Sequence, residues 1–87
     1  MDRKDTIRDF LRKLLDRKGD TQPFSDESSL LLSGRLQSVD AVSLAVFLEE
    51  KFIVDFAEIG FDQERLDTVN DISSLIEESG TLPRRSI

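Results

Sequence analysis

Apolar residues recur with helical spacing in three separate segments of the chain. The first segment fills the i, i+3, i+4, i+7, i+8 pattern of a single helix face with Ile7, Phe10, Leu11, Leu14 and Leu15. Gly19 follows this pattern, and glycine commonly ends a helix. We therefore predict a first helix over Thr6–Lys18 that packs on the core through this face and carries its basic side chains outside.

The second segment, Leu36–Phe52, has the clearest pattern. Its main apolar stripe consists of Ala41, Leu44, Ala45, Leu48 and Phe52. Ser38 precedes the stripe as a suitable N-cap, and Asp40 lies in the first turn, where the helix dipole favours a negative charge. We predict a helix with Ser38 as its N-cap and without a capping box, because Ala41 stands at the position of the acidic partner.

A second apolar row, made of Val39, Val42 and Val46, runs beside the main stripe. Such a row is more often additional core surface and less often an exposed patch that binds a partner. The spacing leaves both interpretations open. Glu49 and Glu50 lie away from the main stripe and are expected to be solvated.

The third helical pattern covers Thr68–Glu78. Its apolar face consists of Val69, Ile72, Leu75 and Ile76. We predict that Asp67 caps this helix and that Gly80 ends it. Just before it, Asp62–Leu66 is predicted to form one short helical turn with Asp62 as its cap.

Two connections join these elements. Residues 20–35 lack a sustained helical period and form a long loop. Because the loop contains Phe24 and the run Leu30–Leu32, we expect Phe24 and at least two of the leucines to hold it against the core. Ile53–Phe56 could pass for a strand but has no partner strand, so an extended connection is predicted.

Together these patterns predict an all-α fold. The expected architecture is a small antiparallel bundle of three main helices plus one short helix, with a long loop after the first helix. A chain of 87 residues makes one small domain. We assign residues 1–80 to this domain and residues 81–87 to a flexible C-terminal tail.

The residue inventory removes most classes of enzyme. The chain contains neither cysteine nor histidine, so serine–histidine and cysteine–histidine sites are excluded. Its four glycines are too scattered for a phosphate-binding loop, and adjacent glutamates diverge on a helix instead of converging on a metal ion. We therefore expect a non-catalytic protein without a metal site.

Charge is distributed unevenly along the chain. Residues 1–19 contain seven basic and four acidic residues, whereas residues 20–78 contain three basic and fourteen acidic residues. An acidic body disfavours nucleic acid and favours a partner with a basic surface, although acidity also serves solubility alone. The N-terminus lacks the apolar core of a signal peptide, and no apolar run could span a membrane, so we expect a cytoplasmic monomer.

Ser38 has two interpretations. The local pattern alone favours a structural one, in which the hydroxyl accepts a backbone hydrogen bond as an N-cap. The same position would also suit a serine that carries a phosphodiester. A helix N-terminus offers free N–H donors and the positive end of the dipole to an anion.

The chain resembles the acyl carrier proteins or, more broadly, the phosphopantetheine carrier domains. Two runs carry the resemblance: Gly34-Arg35-Leu36-Gln37-Ser38-Val39, which is similar to the family's glycine-bearing loop and Asp-Ser-Leu motif, and Leu48-Glu49-Glu50-Lys51-Phe52, which is similar to its Leu-Glu-x-x-Phe pattern. Asp67-Thr68-Val69 is similar to the start of the family's last helix. The resemblance covers Ile7 to Ile76.

This resemblance implies a function for Ser38 and for the surface around it. A phosphopantetheinyl transferase would use coenzyme A to esterify Ser38 with 4′-phosphopantetheine, and the thiol of this arm would hold an acyl or aminoacyl group as a thioester. A loading ligase and acyl-processing enzymes with basic surfaces would be the other partners. The residues expected to dock these partners are Gln37, Val39, Asp40, Val46, Glu49 and Glu50.

The chain departs from the family pattern at four positions. Gln37 replaces the aspartate usually found before the serine, Ser43 replaces a frequent glutamate, and Lys51 lies within the acidic cluster. Gly34 is one residue further from the serine than in typical carriers. These departures indicate a specialised carrier instead of a housekeeping carrier of fatty-acid synthesis. The alternative is a carrier-like helical adaptor that is never modified and binds a basic partner through its acidic face.

Overall fold

Helices make up the regular structure of the chain. The computed structural model describes residues 3–81, and the elements there are α1 (Arg3–Arg17), α2 (Ser38–Lys51), α3 (Phe56–Ile59), a 3₁₀ turn (Gln63–Leu66) and α4 (Val69–Thr81). These residues contain no strand, and none of their helices has the length and apolarity needed to cross a membrane. The all-α prediction is confirmed, whereas the antiparallel arrangement of a bundle stays a prediction.

The three predicted apolar faces contribute to one core. Its buried side chains on the helices are Ile7, Leu11, Leu14 and Leu15 from α1, Ala41, Leu44, Ala45 and Leu48 from α2, and Val69, Ile72, Leu75 and Ile76 from α4. The connecting segments add Leu30, Leu36, Val54 and Leu66. Burying each such aliphatic side chain stabilises the fold by roughly 1.5–3 kcal/mol, so the connections contribute to the core as the helices do.

α1 begins one turn before the predicted start and is closed by Gly19, as predicted. The N–H of Gly19 donates to the carbonyl of Asp16 (3.0 Å), and the N–H of Asp20 donates to the carbonyl of Leu15 (2.9 Å). Gly19 has a φ of +81°, a left-handed conformation that glycine adopts without steric cost. This closure turns the chain from α1 into the long loop.

Asp67 holds the long loop against the start of α4. Its carboxylate Oδ1 accepts hydrogen bonds from the N–H groups of Leu31 (2.8 Å) and Leu32 (2.9 Å), and its backbone carbonyl accepts one from the N–H of Leu30 (2.9 Å). Leu30 is buried, Leu31 and Phe24 pack against the core, and Leu32 is exposed. The prediction that Phe24 and two leucines hold the loop is confirmed.

Both ends of α4 differ from the predicted ones. The N-cap is Thr68, whose Oγ1 accepts a hydrogen bond from the N–H of Asp71 (2.9 Å), and not Asp67, whose carboxylate is turned to the loop. α4 also continues through Gly80 to Thr81, so the prediction that Gly80 ends the helix is wrong. Apart from Thr81, the predicted tail lies outside the described residues.

Several basic side chains of α1 contact the loop instead of lying wholly in solvent. Arg8 pairs with Asp26 through two N···O distances of 2.8 Å. Arg12 donates hydrogen bonds to the backbone carbonyls of Asp20 (2.7 Å) and Gln22 (3.0 Å). These two side chains remain partly exposed on the outer face of α1, and their contacts, which the sequence did not predict, tie the acidic loop to the helix.

The connection between α2 and α4 is partly helical. Val54 is buried, Asp55 is extended and caps α3, and the helix begins at Phe56. Ile53 has a φ of +57°, so the extended connection predicted over Ile53–Phe56 is wrong at both of its ends. The short turn predicted over Asp62–Leu66 is confirmed as the 3₁₀ turn. The carboxylate of Asp62 caps it by accepting a hydrogen bond from the N–H of Glu64 (3.0 Å).

The surroundings of Asp67 favour its charged form. Burial raises the pKa of Asp67, but the N–H of Leu32, the nearby hydroxyl of Ser29 and the N–H of Leu31 together lower it by more, so the pKa lies below its ordinary value. A carboxylate with a lowered pKa in the folded state stabilises the fold above its unfolded pKa of about 3.9. This stabilisation is lost as the pH falls through the folded value.

We expect Asp67→Asn to lower the free energy of unfolding at pH 7 by about 1–3 kcal/mol, because an uncharged oxygen is a weaker acceptor for the two loop N–H groups. Urea unfolding between pH 7 and pH 3 measures the effect. The difference from the wild type should begin to narrow below about pH 4, where the Asp67 carboxyl of the unfolded chain takes up a proton, and should narrow further as the pH falls towards the lower pKa of the folded state.

Glu27→Gln is the control, because Glu27 is an exposed carboxylate of the same loop. It should change the free energy of unfolding by less than about 0.5 kcal/mol. An Asp67→Asn effect that stays constant from pH 7 to pH 3 would contradict the role assigned to the charge.

Candidate functional site

Ser38 is the first residue of α2 and is exposed. The residue that caps the helix is Gln37, since its carbonyl accepts the first helical hydrogen bonds from the N–H groups of Asp40 (2.9 Å) and Ala41 (3.1 Å). The prediction that Ser38 is the N-cap is therefore wrong by one position. This removes the local structural reason for a serine there.

Asp40 stabilises the start of α2. Its Oδ2 accepts a hydrogen bond from the N–H of Gln37 (2.8 Å) and one from the Nζ of Lys18 (2.8 Å). Asp40 stands three residues after the cap, as the acidic partner of a capping box does. The predicted absence of such a partner is wrong for the same reason as the predicted cap: the helix begins one residue earlier.

The contacts of Asp40 also set its charge. Burial raises the pKa of Asp40, but the ammonium group of Lys18 and the N–H of Gln37 lower it by more, so the pKa lies below its ordinary value. Only 13% of the side chain is exposed. Asp40 thus remains a carboxylate whose contacts lie mainly within the molecule.

An open groove of about 580 Å³ lies beside Ser38. The other residues that line it are Leu31, Leu32, Leu36, Gln37, Gln63 and Glu64. The lining joins three parts of the chain, namely the end of the long loop, the start of α2 and the 3₁₀ turn. Sequence spacing could not predict Gln63 and Glu64 here, because they are about 25 residues from Ser38 and polar.

A clamp centred on Arg35 holds the segment that leads to Ser38. The guanidinium of Arg35 pairs with the carboxylate of Asp20 (2.8 and 3.1 Å) and donates hydrogen bonds to the carbonyls of Gln22 (2.8 Å) and Pro23 (3.3 Å). The pairing raises the pKa of Arg35 and lowers that of Asp20. Sequence reasoning missed this clamp, although Arg35 is the sole basic residue between positions 20 and 50.

The second apolar row of α2 faces solvent. Val39 is 65% exposed, Val42 54% and Val46 46%. The spacing left two interpretations of this row open, and the structure shows that it is exposed and is not additional core surface. Glu49 and Glu50 are exposed on the later turns of the same helix.

The residues predicted to dock partners lie in two places along α2. Gln37, Val39 and Asp40 are at its first turn, around Ser38, whereas Glu49 and Glu50 are near its other end. Nine positions separate Asp40 from Glu49, which corresponds to roughly 14 Å along a helix. Val46 lies between the two groups and connects them with an exposed apolar surface.

No group of three or more acidic side chains within residues 3–81 could hold a metal ion. Histidine and cysteine are missing from the whole chain. The site exposes the Ser38 hydroxyl, a group that can be esterified, at the edge of the groove and directly before the first residue of the exposed apolar row.

No protein-family model matches the chain, and neither the curated proteins nor the solved structures compared with it contain a match.

We expect Ser38→Ala to leave the free energy of unfolding within about 0.5 kcal/mol of the wild type, because the hydroxyl does not cap the helix. Asp40→Ala should lower it by about 1 kcal/mol, because it removes the partner of the Gln37 N–H and of Lys18. Thermal and urea unfolding of the two variants measure the difference. A larger loss for Ser38→Ala than for Asp40→Ala would contradict the assignment of the cap.

Proposed function

We propose that this protein is a phosphopantetheine carrier of the acyl carrier type, with Ser38 as the attachment residue. The observation that carries the proposal is the exposure of Ser38 at the first turn of α2, beside an open groove and without a capping role. It supports the motif resemblance around Leu36–Val39. The antiparallel three-helix bundle predicted from the sequence is part of the same proposal.

The position of Ser38 suits a phosphodiester for an electrostatic reason. The first turn of a helix has N–H groups without intrahelical acceptors, and the aligned peptide dipoles place partial positive charge there. A phosphate esterified to Ser38 would carry its negative charge next to this helix end. Lys18, whose Nζ lies 2.8 Å from Asp40 Oδ2, adds a cation near the same turn.

The modification would transfer the phosphopantetheine group from coenzyme A to the hydroxyl oxygen of Ser38. The Ser38 oxygen forms a bond to the β-phosphorus of coenzyme A, the pyrophosphate bond breaks, and adenosine bisphosphate leaves. The hydroxyl proton passes to a base on the transferase or to solvent. The chain supplies the nucleophile and its position, and the transferase supplies the catalysis, because histidine and cysteine are absent from this chain.

The terminal thiol of the arm would then carry the cargo. It exchanges with an activated acyl or aminoacyl group to form a thioester, so a chain without cysteine takes part in thiol chemistry. The groove beside Ser38 is lined by both apolar and polar side chains and offers a path for the arm along the surface. Partner enzymes load the arm and process its cargo.

Partners dock on the outer face of α2 in this proposal. Glu49 and Glu50 supply negative charge for enzymes with basic surfaces, and Val39 and Val46 supply apolar contact. Gln37 and Asp40 contribute at the first turn, where Asp40 acts chiefly by holding the helix start. Departures from the family pattern, above all Gln37, favour a specialised carrier with dedicated partners.

One observation favours an alternative, an adaptor that is never modified. Val39, Val42 and Val46 form an exposed row next to Glu49 and Glu50, and such a surface binds a basic partner whether or not Ser38 is modified. Gln37 in place of the usual aspartate is the second support for it. The state of Ser38 distinguishes the two functions.

We expect the protein to gain the mass of one phosphopantetheine group on incubation with coenzyme A and a broad-range phosphopantetheinyl transferase. Ser38→Ala should abolish the gain, and Ser43→Ala, which removes another exposed serine of α2, should retain it. Intact-protein mass spectrometry reads both results. A gain that survives in Ser38→Ala would refute the attachment residue, and no gain in the folded wild type would refute the carrier function.

We expect the double change Glu49→Lys and Glu50→Lys to slow modification of Ser38 roughly tenfold at about 10 mM salt, because it reverses the charge offered to a basic enzyme surface. The effect should shrink at about 0.5 M salt, where screening is strong. The control is Asp9→Lys with Glu27→Lys, which changes two exposed acids away from α2 by the same charge. An equal loss in the control would show a net-charge effect instead of docking on α2.

A further inference from the structure

Ile53 combines two features that a folded chain rarely tolerates in one residue. It is the one non-glycine residue with a positive φ in the described part of the chain, at +57°. This left-handed conformation is costly for a β-branched side chain, whose Cβ approaches the following carbonyl oxygen. The residue is also 65% exposed, so burial offsets little of that cost.

The backbone alone does not explain an isoleucine at this position. Ile53 follows the end of α2 as Gly19 follows the end of α1, and Gly19 serves the same left-handed corner without strain. The two other positive-φ residues described, Gly34 and Gly60, are glycines as well. A glycine or an asparagine at position 53 would adopt the left-handed conformation at a lower cost. The turn therefore does not by itself require an isoleucine at this position.

Ile53 follows exposed apolar and acidic residues of α2 in the chain. It comes seven residues after Val46, the last member of the exposed valine row, and Glu49 and Glu50 lie between the two. The helix that carries the row is 14 residues long, or about 21 Å. Exposed apolar side chains thus occur at both ends of an acidic helix surface that begins beside Ser38.

We propose that Ile53 is the distal anchor of the docking surface on α2, and that it fits an apolar pocket ringed by lysine and arginine on the transferase that modifies Ser38. This inference rests on the proposed function, because it extends the footprint of that partner along the whole helix. A basic rim would complement Glu49 and Glu50, which are exposed and precede Ile53 by four and three residues. A second copy of this chain is a poor occupant, because a symmetric contact would bring Glu49 and Glu50 close to their own copies.

Replacing Ile53 with asparagine should weaken docking without lowering the stability of the fold. Ile53→Asn should leave the melting temperature unchanged or raise it, because asparagine tolerates the left-handed conformation. It should lower kcat/KM for modification of Ser38 roughly fivefold to tenfold, chiefly through KM, because an apolar anchor is lost. Ile53→Val keeps both the apolar contact and the backbone strain, and its kcat/KM should stay within about twofold of the wild type.

The experiment measures initial rates with the unmodified full chain, coenzyme A and a broad-range phosphopantetheinyl transferase, together with thermal melting of each variant. Modification of Ile53→Asn at the wild-type rate would overturn the role of Ile53 and leave the proposed function standing. A fall in kcat/KM that accompanies a fall in melting temperature would overturn it too, because Ile53 would then serve the fold. Absence of modification in the wild type would overturn both proposals.

Discussion

The hydrogen bonds between the Asp67 carboxylate and the N–H groups of Leu31 and Leu32 hold the end of the long loop in place. The candidate site depends on the position of this loop. A buried carboxylate is costly unless donors surround it, so closure of the loop on Asp67 stabilises the fold. That closure seats Leu30 in the core, and the carbonyl of Leu30 then accepts a hydrogen bond from the N–H of Leu36 at 2.7 Å. Ser38 follows two residues later. The start of α4 thereby determines where the loop delivers the chain to the start of α2.

Ion pairs engage part of the chain's charge within the molecule and leave other acidic side chains exposed. Arg8, Arg12 and Arg35 are engaged with acidic residues and carbonyls of the long loop, as the pair between Arg8 and Asp26 shows. Lys18 similarly engages Asp40 at the start of α2. Glu49 and Glu50 remain exposed near the other end of that helix. The helix surface that the proposed function assigns to partners therefore keeps two exposed carboxylates outside these ion pairs.

The helices and their buried faces could be predicted because a 3.6-residue period is a local property of the sequence. The caps could not, since each depends on where a side chain finds its partner. Asp67 is a suitable N-cap by type, yet donors in the loop, some 35 residues earlier, bind its carboxylate. α2 begins one residue earlier than predicted. Gln37 and Asp40 therefore stabilise its start, whereas Ser38 does not cap it. Periodicity also could not decide which of two adjacent apolar rows on α2 is buried, because that depends on what packs against the helix.

The central claim is that Ser38 carries a prosthetic arm in the working protein. The most direct test is the mass of the protein purified from its own source, with fragmentation to locate any added group. The carrier account predicts a phosphopantetheine group, with or without its cargo, on Ser38 in a substantial fraction of molecules. Native protein with an unmodified Ser38, isolated together with a bound partner, would contradict this account and support the adaptor.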